Sequence, residues 1–238
     1  MLVRYLDTMG PSIMNVICIV VPIVGFIVGF LGGFGNRGVR VIEGALIIFL
    51  AFVLKNPTSS LLYKFVPFFD MKYKILNVLL YEFISYVLIA MVLIIIIHIL
   101  NRFISIVERV MGIFVGIGVP SSIIGALVSF AEFTFYLYIF IFIVFFFSSI
   151  SDSPIESSIA NKVYYNMPVL RPVFGPSLDA CIEVGNELNT DNSIDEINYN
   201  SMNILLKNKF ISKNNAKYLI DNKKIEIKNS DKLLSKYK

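Results

Sequence analysis

Long apolar runs dominate the first two thirds of this 238-residue chain. A hydrocarbon core about 30 Å thick is crossed by about 20 helical residues, and several of the runs approach that length. The pattern predicts an all-α integral membrane protein with about four transmembrane helices. The predicted spans are residues 13–34, 41–54, 83–100 and 123–147.

The apolar content is uneven, although hydrophobic residues make up 56% of the whole chain. Residues 1–150 carry nearly all of the apolar runs, whereas residues 151–238 have the composition of an ordinary polar segment. We therefore predict a membrane domain over 1–150 and a small, mostly helical, soluble, lysine-rich tail over 151–238. Cys18 and Cys181 lie far apart and form no CxxC spacing, so neither a metal site nor a cofactor is predicted.

The second apolar run is short, since residues 41–54 give only about 21 Å of helix. It can cross the bilayer if Arg40 and Lys55 extend towards the two surfaces, or it can be half of a re-entrant hairpin. Arg37, Arg40 and Glu43 are three residues apart and share one side of a helix. They are predicted to form interfacial ion pairs. A loop is predicted from Lys55 to Glu82.

Residues 101–118 are amphipathic with a helical period. Glu108, Arg109, Gly112 and Gly116 lie on the polar stripe, opposite a stripe of apolar residues. The pattern indicates a helix that lies in the interface or enters the bilayer shallowly, as a re-entrant segment, before the last span.

Glycines recur every four residues in the first span, at Gly25, Gly29 and Gly33. Because they share one helix face, they allow another helix backbone to approach closely. We expect helix packing there and in the Gly112 and Gly116 pair, with a pore or a hinge as the functional alternative.

Two titratable residues within predicted spans are candidate functional residues. Glu132 lies near the centre of the last span, where a carboxylate costs a few kcal/mol unless it is neutral, paired or facing water. It is either a functional group or a protonated acid bonded to a neighbouring helix. His98 lies near the end of the third span and is either an interfacial histidine or part of a proton relay.

The tail opens with a proline-rich stretch, 151–176, that predicts an extended passage. Two short helices, a strand-like segment and a closing helix are predicted to follow, at 201–211, 214–222, 223–228 and 230–237. Residues 207–238 contain ten lysines against three acids, a net charge of +7 that suits the anionic inner leaflet. Nucleic-acid binding is disfavoured, because neither short helix carries the clustered Arg, Asn or Gln of a recognition helix.

Four spans place both termini on one side of the membrane. Seven basic residues near the membrane then lie on that side, and four lie on the other. The larger group is Arg4, Lys55, Lys64, Lys72, Lys74, Lys162 and Arg171, and the smaller is Arg37, Arg40, Arg102 and Arg109. The excess predicts that both termini are cytoplasmic.

The arrangement over about residues 12–175 resembles the CvpA family, the colicin V production membrane proteins. The shared features are a glycine-bearing first helix that ends in a glycine-rich basic turn, a short second helix, and an acidic-basic pair followed by spaced glycines before the last span. In this chain they are Gly25 and Gly29, the turn 35–40, Glu108-Arg109, and Gly112 with Gly116; Ser153-Pro154 and Ser157-Ser158 resemble the family's serine and proline stretch.

The resemblance implies a four-span bacterial inner-membrane protein that supports colicin V or toxin production or secretion and envelope homeostasis. It carries over no catalytic residue, so a non-enzymatic role is expected, with self-association or another membrane protein as partner. A second hypothesis is a small transporter or proton-coupled channel that uses Glu132.

Overall fold

The computed structural model describes residues 11–32, 35–111, 121–151, 158–168 and 170–237. Within these ranges the regular secondary structure is entirely α-helical. The helices are α1 (Pro11–Gly32), α2 (Gly35–Phe65), α3 (Ile75–Met111), α4 (Ser121–Ser151), α5 (Ser158–Asn166), α6 (Leu170–Glu187), α7 (Ile194–Lys207), α8 (Lys213–Asp221) and α9 (Ser230–Ser235).

The first four helices are each long and apolar enough to cross a membrane. Their candidate spans are Ile13–Gly32, Glu43–Phe65, Ile75–Arg102 and Ser122–Ile150. The predicted helical membrane protein with four spans is therefore confirmed at the level of helix length and composition. Residues 33–34, which end the first predicted span, lie outside the described residues.

The second helix is much longer than the sequence predicts. It continues from Lys55 through Pro57 to Phe65, and α3 begins at Ile75. The predicted loop from Lys55 to Glu82 is therefore wrong, except for the link at residues 66–74. At 31 residues, α2 is about 46 Å long, so it is neither a short span nor half of a hairpin.

The third helix runs without a break to Met111. The prediction of a separate amphipathic helix beginning at residue 101 is wrong, because residues 101–111 continue α3. The rest of that predicted segment and the glycine-proline break before α4 lie outside the described residues, at 112–120.

The four long helices pack as two antiparallel pairs. The first helix lies along α4, α2 lies along α3, and the pairs meet where α2 touches α4. The third helix is peripheral, because only 6% of its most apolar window is buried, compared with 33% for α4. Most of its apolar surface is therefore left for lipid or for a partner.

Polar contacts between α2 and α3 mark the two ends of an apolar layer. Asn101 Nδ2 donates to Glu43 Oε1 at 2.8 Å, and Lys55 and Tyr63 both donate to Glu82. Glu82 and Asn101 are separated by about 28 Å along α3 at 1.5 Å per residue. This separation is close to the thickness of a hydrocarbon core, about 30 Å.

The C-terminal helices, α5 to α9, pack onto the ends of the four membrane helices. The buried clusters therefore cross the predicted domain boundary at residue 150. One cluster joins Tyr63 of α2 and Val78 of α3 to Val184 of α6 and Met202 of α7. The ends of α2 and α3 that extend past the apolar layer thus form part of the core of the C-terminal helices.

A second buried cluster joins the other pair of membrane helices, α1 and α4, to the C-terminal helices. It joins Met14 of α1 and Tyr138 of α4 to Ala160 and Tyr164 of α5. Ile159 N also donates to Asn15 Oδ1 at 3.2 Å. The C-terminal helices therefore lie on the same side as the start of α1.

Two predictions for the tail are wrong. The proline-rich stretch 151–176 contains α5 and the start of α6 instead of an extended passage. Residues 223–228 are turns and irregular backbone instead of a strand. The two predicted short helices correspond to α7 and α8, and the first is fixed by a capping box between Ser193 and Glu196.

Candidate functional site

Glu132 lies in the middle of the apolar layer. Ser122, at one end of the layer, is about 15 Å away along α4. Tyr138, where α5 begins to cover α4, is about 9 Å away in the other direction. Glu132 Oε1 accepts a hydrogen bond from Tyr136 at 3.1 Å. Its Oε2 is buried and has no hydrogen-bond partner among the described residues, and the same is true of Ser129 Oγ one turn away. A half-satisfied carboxyl group at this depth is costly, which is the property expected of a functional group in a membrane.

The glycines of α1 lie against α4 of the same chain. A Cβ atom on Gly29 would come within 2.2 Å of Gly125 O and 2.6 Å of Ser129 Cβ, and one on Gly25 would come within 2.6 Å of Phe133 Cβ. Such distances are impossible for real side chains, so only glycine permits this approach. The two glycines therefore serve packing within the chain.

The other predicted glycine and charge positions are only partly described. Gly33, Gly112 and Gly116 lie outside the described residues. Glu108 and Arg109 lie in the last turns of α3, and their side chains are outside the described part.

The ion pairs predicted between Glu43 and the two arginines before it stay a prediction. Glu43 accepts a hydrogen bond from Asn101 on α3. Arg37 and Arg40 lie in the first turns of α2, with side chains outside the described part. His98 lies on the exposed surface of α3, one turn before Asn101, at the end of the layer away from the C-terminal helices.

A buried ion pair that the sequence did not predict lies at the other end of the layer. The side chains of Lys55 and Glu82 are 5% and 0% exposed. Lys55 Nζ donates to Glu82 Oε2, and Tyr63 OH donates to Glu82 Oε1 at 2.9 Å. Buried charges are tolerated when their hydrogen bonds are satisfied, as these are. The signal in the sequence is a lysine at the end of one apolar run and a glutamate at the start of the next.

The same lysine binds the C-terminal helices. Its Nζ donates to Phe210 O and lies 4.5 Å from the centroid of the Phe210 ring. Asn215 Nδ2 donates to Asn56 O at 3.3 Å and to Ser59 Oγ at 3.0 Å. The α7–α8 turn is therefore attached to α2 by polar groups that are buried together.

Cys181 of α6 lies beside this cluster. Burial raises the pKa of its thiol to about 12, while Lys55 lowers it and Glu82 raises it by smaller amounts. The thiol stays neutral at physiological pH, so it is a poor nucleophile.

A second ion pair lies within α6 and packs against the tyrosines of α5. Arg171 donates from Nη1 to Asp179 Oδ1 at 2.8 Å and from Nη2 to Oδ2 at 2.5 Å, a bidentate geometry. The guanidinium lies 5.2 Å from the Tyr164 ring and 4.8 Å from the Tyr165 ring. The hydrogen bonds to Asp179 raise the pKa of Arg171 further. A Cβ on Gly175 would meet Arg171 Cδ at 2.7 Å, so glycine leaves room for this side chain.

Within the described ranges, no three His, Cys, Asp or Glu side chains are grouped so that they could hold a metal ion. Comparison of the chain with protein-family models, with curated proteins and with solved structures finds no match.

Proposed function

We propose that this chain is a multi-pass protein of the bacterial inner membrane that acts without catalysis, as a structural component supporting toxin production or secretion and envelope homeostasis. The resemblance to the CvpA family motivates the biological role. The structural support is the way in which the C-terminal helices bind both pairs of membrane helices.

The observation that carries the proposal is the buried contact of Lys55 with Glu82 and Phe210. It links α2, α3 and the α7–α8 turn at the end of the apolar layer. At the other pair, Tyr164 of α5 stacks on Tyr138 of α4 with ring centroids 5.2 Å apart. Such an arrangement holds the membrane helices in a fixed relation, which suits a scaffold.

We place both termini in the cytoplasm. The side that carries the C-terminal helices also carries the lysines of residues 64–74 and of the tail, and cytoplasmic segments are enriched in lysine and arginine. Lys55 and Arg171 add little to the excess of positive charge on this side, because each is paired with an acid. The exposed lysines of the tail outnumber these two residues and maintain the excess.

Partners are expected at α3. The Gly25 and Gly29 face is occupied by α4, so it is not free for self-association. The third helix contacts α2 on one side and leaves apolar residues such as Met91 and Ile95 exposed. A second copy or another membrane protein would bind there.

The alternative is a small transporter or proton-coupled channel that uses Glu132. The specific observation in its favour is the buried Glu132 Oε2, which lacks a hydrogen-bond partner within the described residues in the middle of the layer.

A complementation experiment separates the two functions. A deletion strain that carries a colicin V-type export system should secrete several-fold less toxin activity and become more permeable to detergents. If the scaffold proposal is correct, Glu132→Gln restores both properties and Lys55→Met does not. Full rescue by Lys55→Met with no rescue by Glu132→Gln supports the transporter, and an unchanged deletion strain rejects the proposed biological role.

Reconstituted liposomes give the second test. Proton flux into vesicles that contain the wild-type chain should exceed flux with Glu132→Gln if Glu132 carries protons. Equal flux, or none with either protein, rejects the transporter.

A further inference from the structure

The turn between α7 and α8 lies at the membrane end of the C-terminal helices. Its central residue, Phe210, is held through its carbonyl by Lys55, which shares the ion pair that ends the apolar layer. Lys207 and Lys209 flank Phe210 in sequence, and both side chains are exposed. Two exposed cations therefore lie at the depth where the hydrocarbon gives way to lipid headgroups.

The eighth helix then leads away from the membrane along α2. Asn215 near its start contacts Asn56 and Ser59. Beyond its end, Lys224 Nζ donates to Tyr63 O and to Val66 O. Lys55 and Tyr63 are about 12 Å apart along α2, so the turn that follows α8 lies about 12 Å farther from the membrane.

We propose that Lys207 and Lys209 bind the phosphate groups of anionic lipids at the cytoplasmic surface, whereas Lys223, in the turn that follows α8, does not. Each lysine close to an anionic surface strengthens binding about fivefold, and the attraction fades over a Debye length of about 8 Å at physiological salt. The 12 Å step along α2 exceeds that length. The inference rests on the proposed membrane topology.

The chain provides a closely matched control. Lys209 and Lys223 each follow a helix, each is exposed, and each adopts a left-handed backbone, with φ of 55° and 54°. The single variants K209Q and K223Q therefore remove the same charge from similar backbone environments at two depths.

The test is native mass spectrometry of the full-length chain, released from mixed micelles that contain phosphatidylglycerol and phosphatidylcholine in equal amounts. The wild type should retain phosphatidylglycerol preferentially. K209Q should lose about fivefold of that preference, and K223Q should stay within twofold of the wild type. Raising the salt concentration should weaken the wild-type preference.

Three results would overturn the inference: no preference in the wild type, an equal loss in K209Q and K223Q, or displacement of the lipid by inorganic phosphate or an oligonucleotide at matched ionic strength. Thiol labelling of single-cysteine variants in intact cells reports the topology separately. If the lipid preference is absent but the labelling agrees with the proposed topology, this inference alone is rejected. If the labelling contradicts the proposed topology, the proposed function is rejected.

Discussion

Lys55 and Glu82 form a buried ion pair across the α2–α3 hairpin, although the sequence places them at opposite ends of an apparent loop. The ammonium also binds Phe210 O, so the pair joins two membrane helices to the C-terminal helices. Because both charges are removed from water, each depends on the other for its hydrogen bonds.

Replacing Lys55 with methionine should leave the Glu82 carboxylate buried without its counter-ion. We expect the variant to lose about 3–5 kcal/mol of stability, the usual cost of an uncompensated buried charge. Thermal unfolding of the purified protein in detergent, followed by circular dichroism, measures the loss.

The matched control for that substitution is Lys74→Met. Lys74 pairs with Asp70 at 3.1 Å, but both side chains are well exposed, so the loss should stay below about 1 kcal/mol. The double variant Lys55→Met/Glu82→Leu should recover most of the lost stability. A double variant as unstable as Lys55→Met would show that the charge of Glu82 is not the cause.

Gly29→Ala should separate α1 from α4. The added methyl group would lie 2.2 Å from Gly125 O, a backbone atom that cannot move aside alone, and overpacking of this kind costs about 1–3 kcal/mol. Gly44→Ala is the control, because a Cβ there meets nothing within 4 Å. Unfolding midpoints should fall for the first variant only. Equal midpoints would mean that α1 and α4 do not pack through Gly29.

Cys181 should resist thiol reagents while the C-terminal helices are bound to α2 and α3. In a Cys18→Ser background, maleimide labelling of intact membranes at pH 7 should be far slower than labelling of the denatured chain, because the folded thiol is buried and neutral. Adding Lys55→Met should speed the labelling. Rapid labelling of the folded parent protein would contradict the packing of α6.

The same thiol predicts a loss of stability at alkaline pH. Its pKa is about 12 in the folded chain and near 9 when unfolded, so the unfolded state loses its proton first as the pH rises. The stabilisation is complete below pH 9 and declines above it, by about 1.4 kcal/mol at pH 10. Cys181→Ala should lose correspondingly less stability between pH 8 and pH 10, and an identical loss in both proteins would show that the thiol does not contribute.

The four spans could be predicted from the sequence because apolar length is a local property of the chain. The true extents of α2 and α3 could not, because Lys55, Pro57 and Glu82 read as signs of a loop when taken alone. They are helical because the C-terminal helices cover them and supply contacts from Phe210 and Asn215, more than 150 residues away.

Part of the candidate site could likewise be predicted from the sequence, and part is visible only in the structure. Glu132 is conspicuous in the sequence, since a carboxylate in an apolar run is rare, but its unsatisfied oxygen is visible only in the structure. The spacing of Gly25 and Gly29 predicts a close helix contact. The spacing does not indicate that the helix in contact is α4 of the same chain.

The central claim is that α3 crosses the bilayer, with Arg102 and the C-terminal helices on opposite sides. The most direct test uses the full-length chain without its native cysteines, with a single cysteine introduced at Arg102, Lys72 or Lys223, and a membrane-impermeant maleimide applied to intact cells. We predict labelling at Arg102→Cys before permeabilisation and at Lys72→Cys and Lys223→Cys only after it. Labelling of all three positions under the same condition would contradict the account.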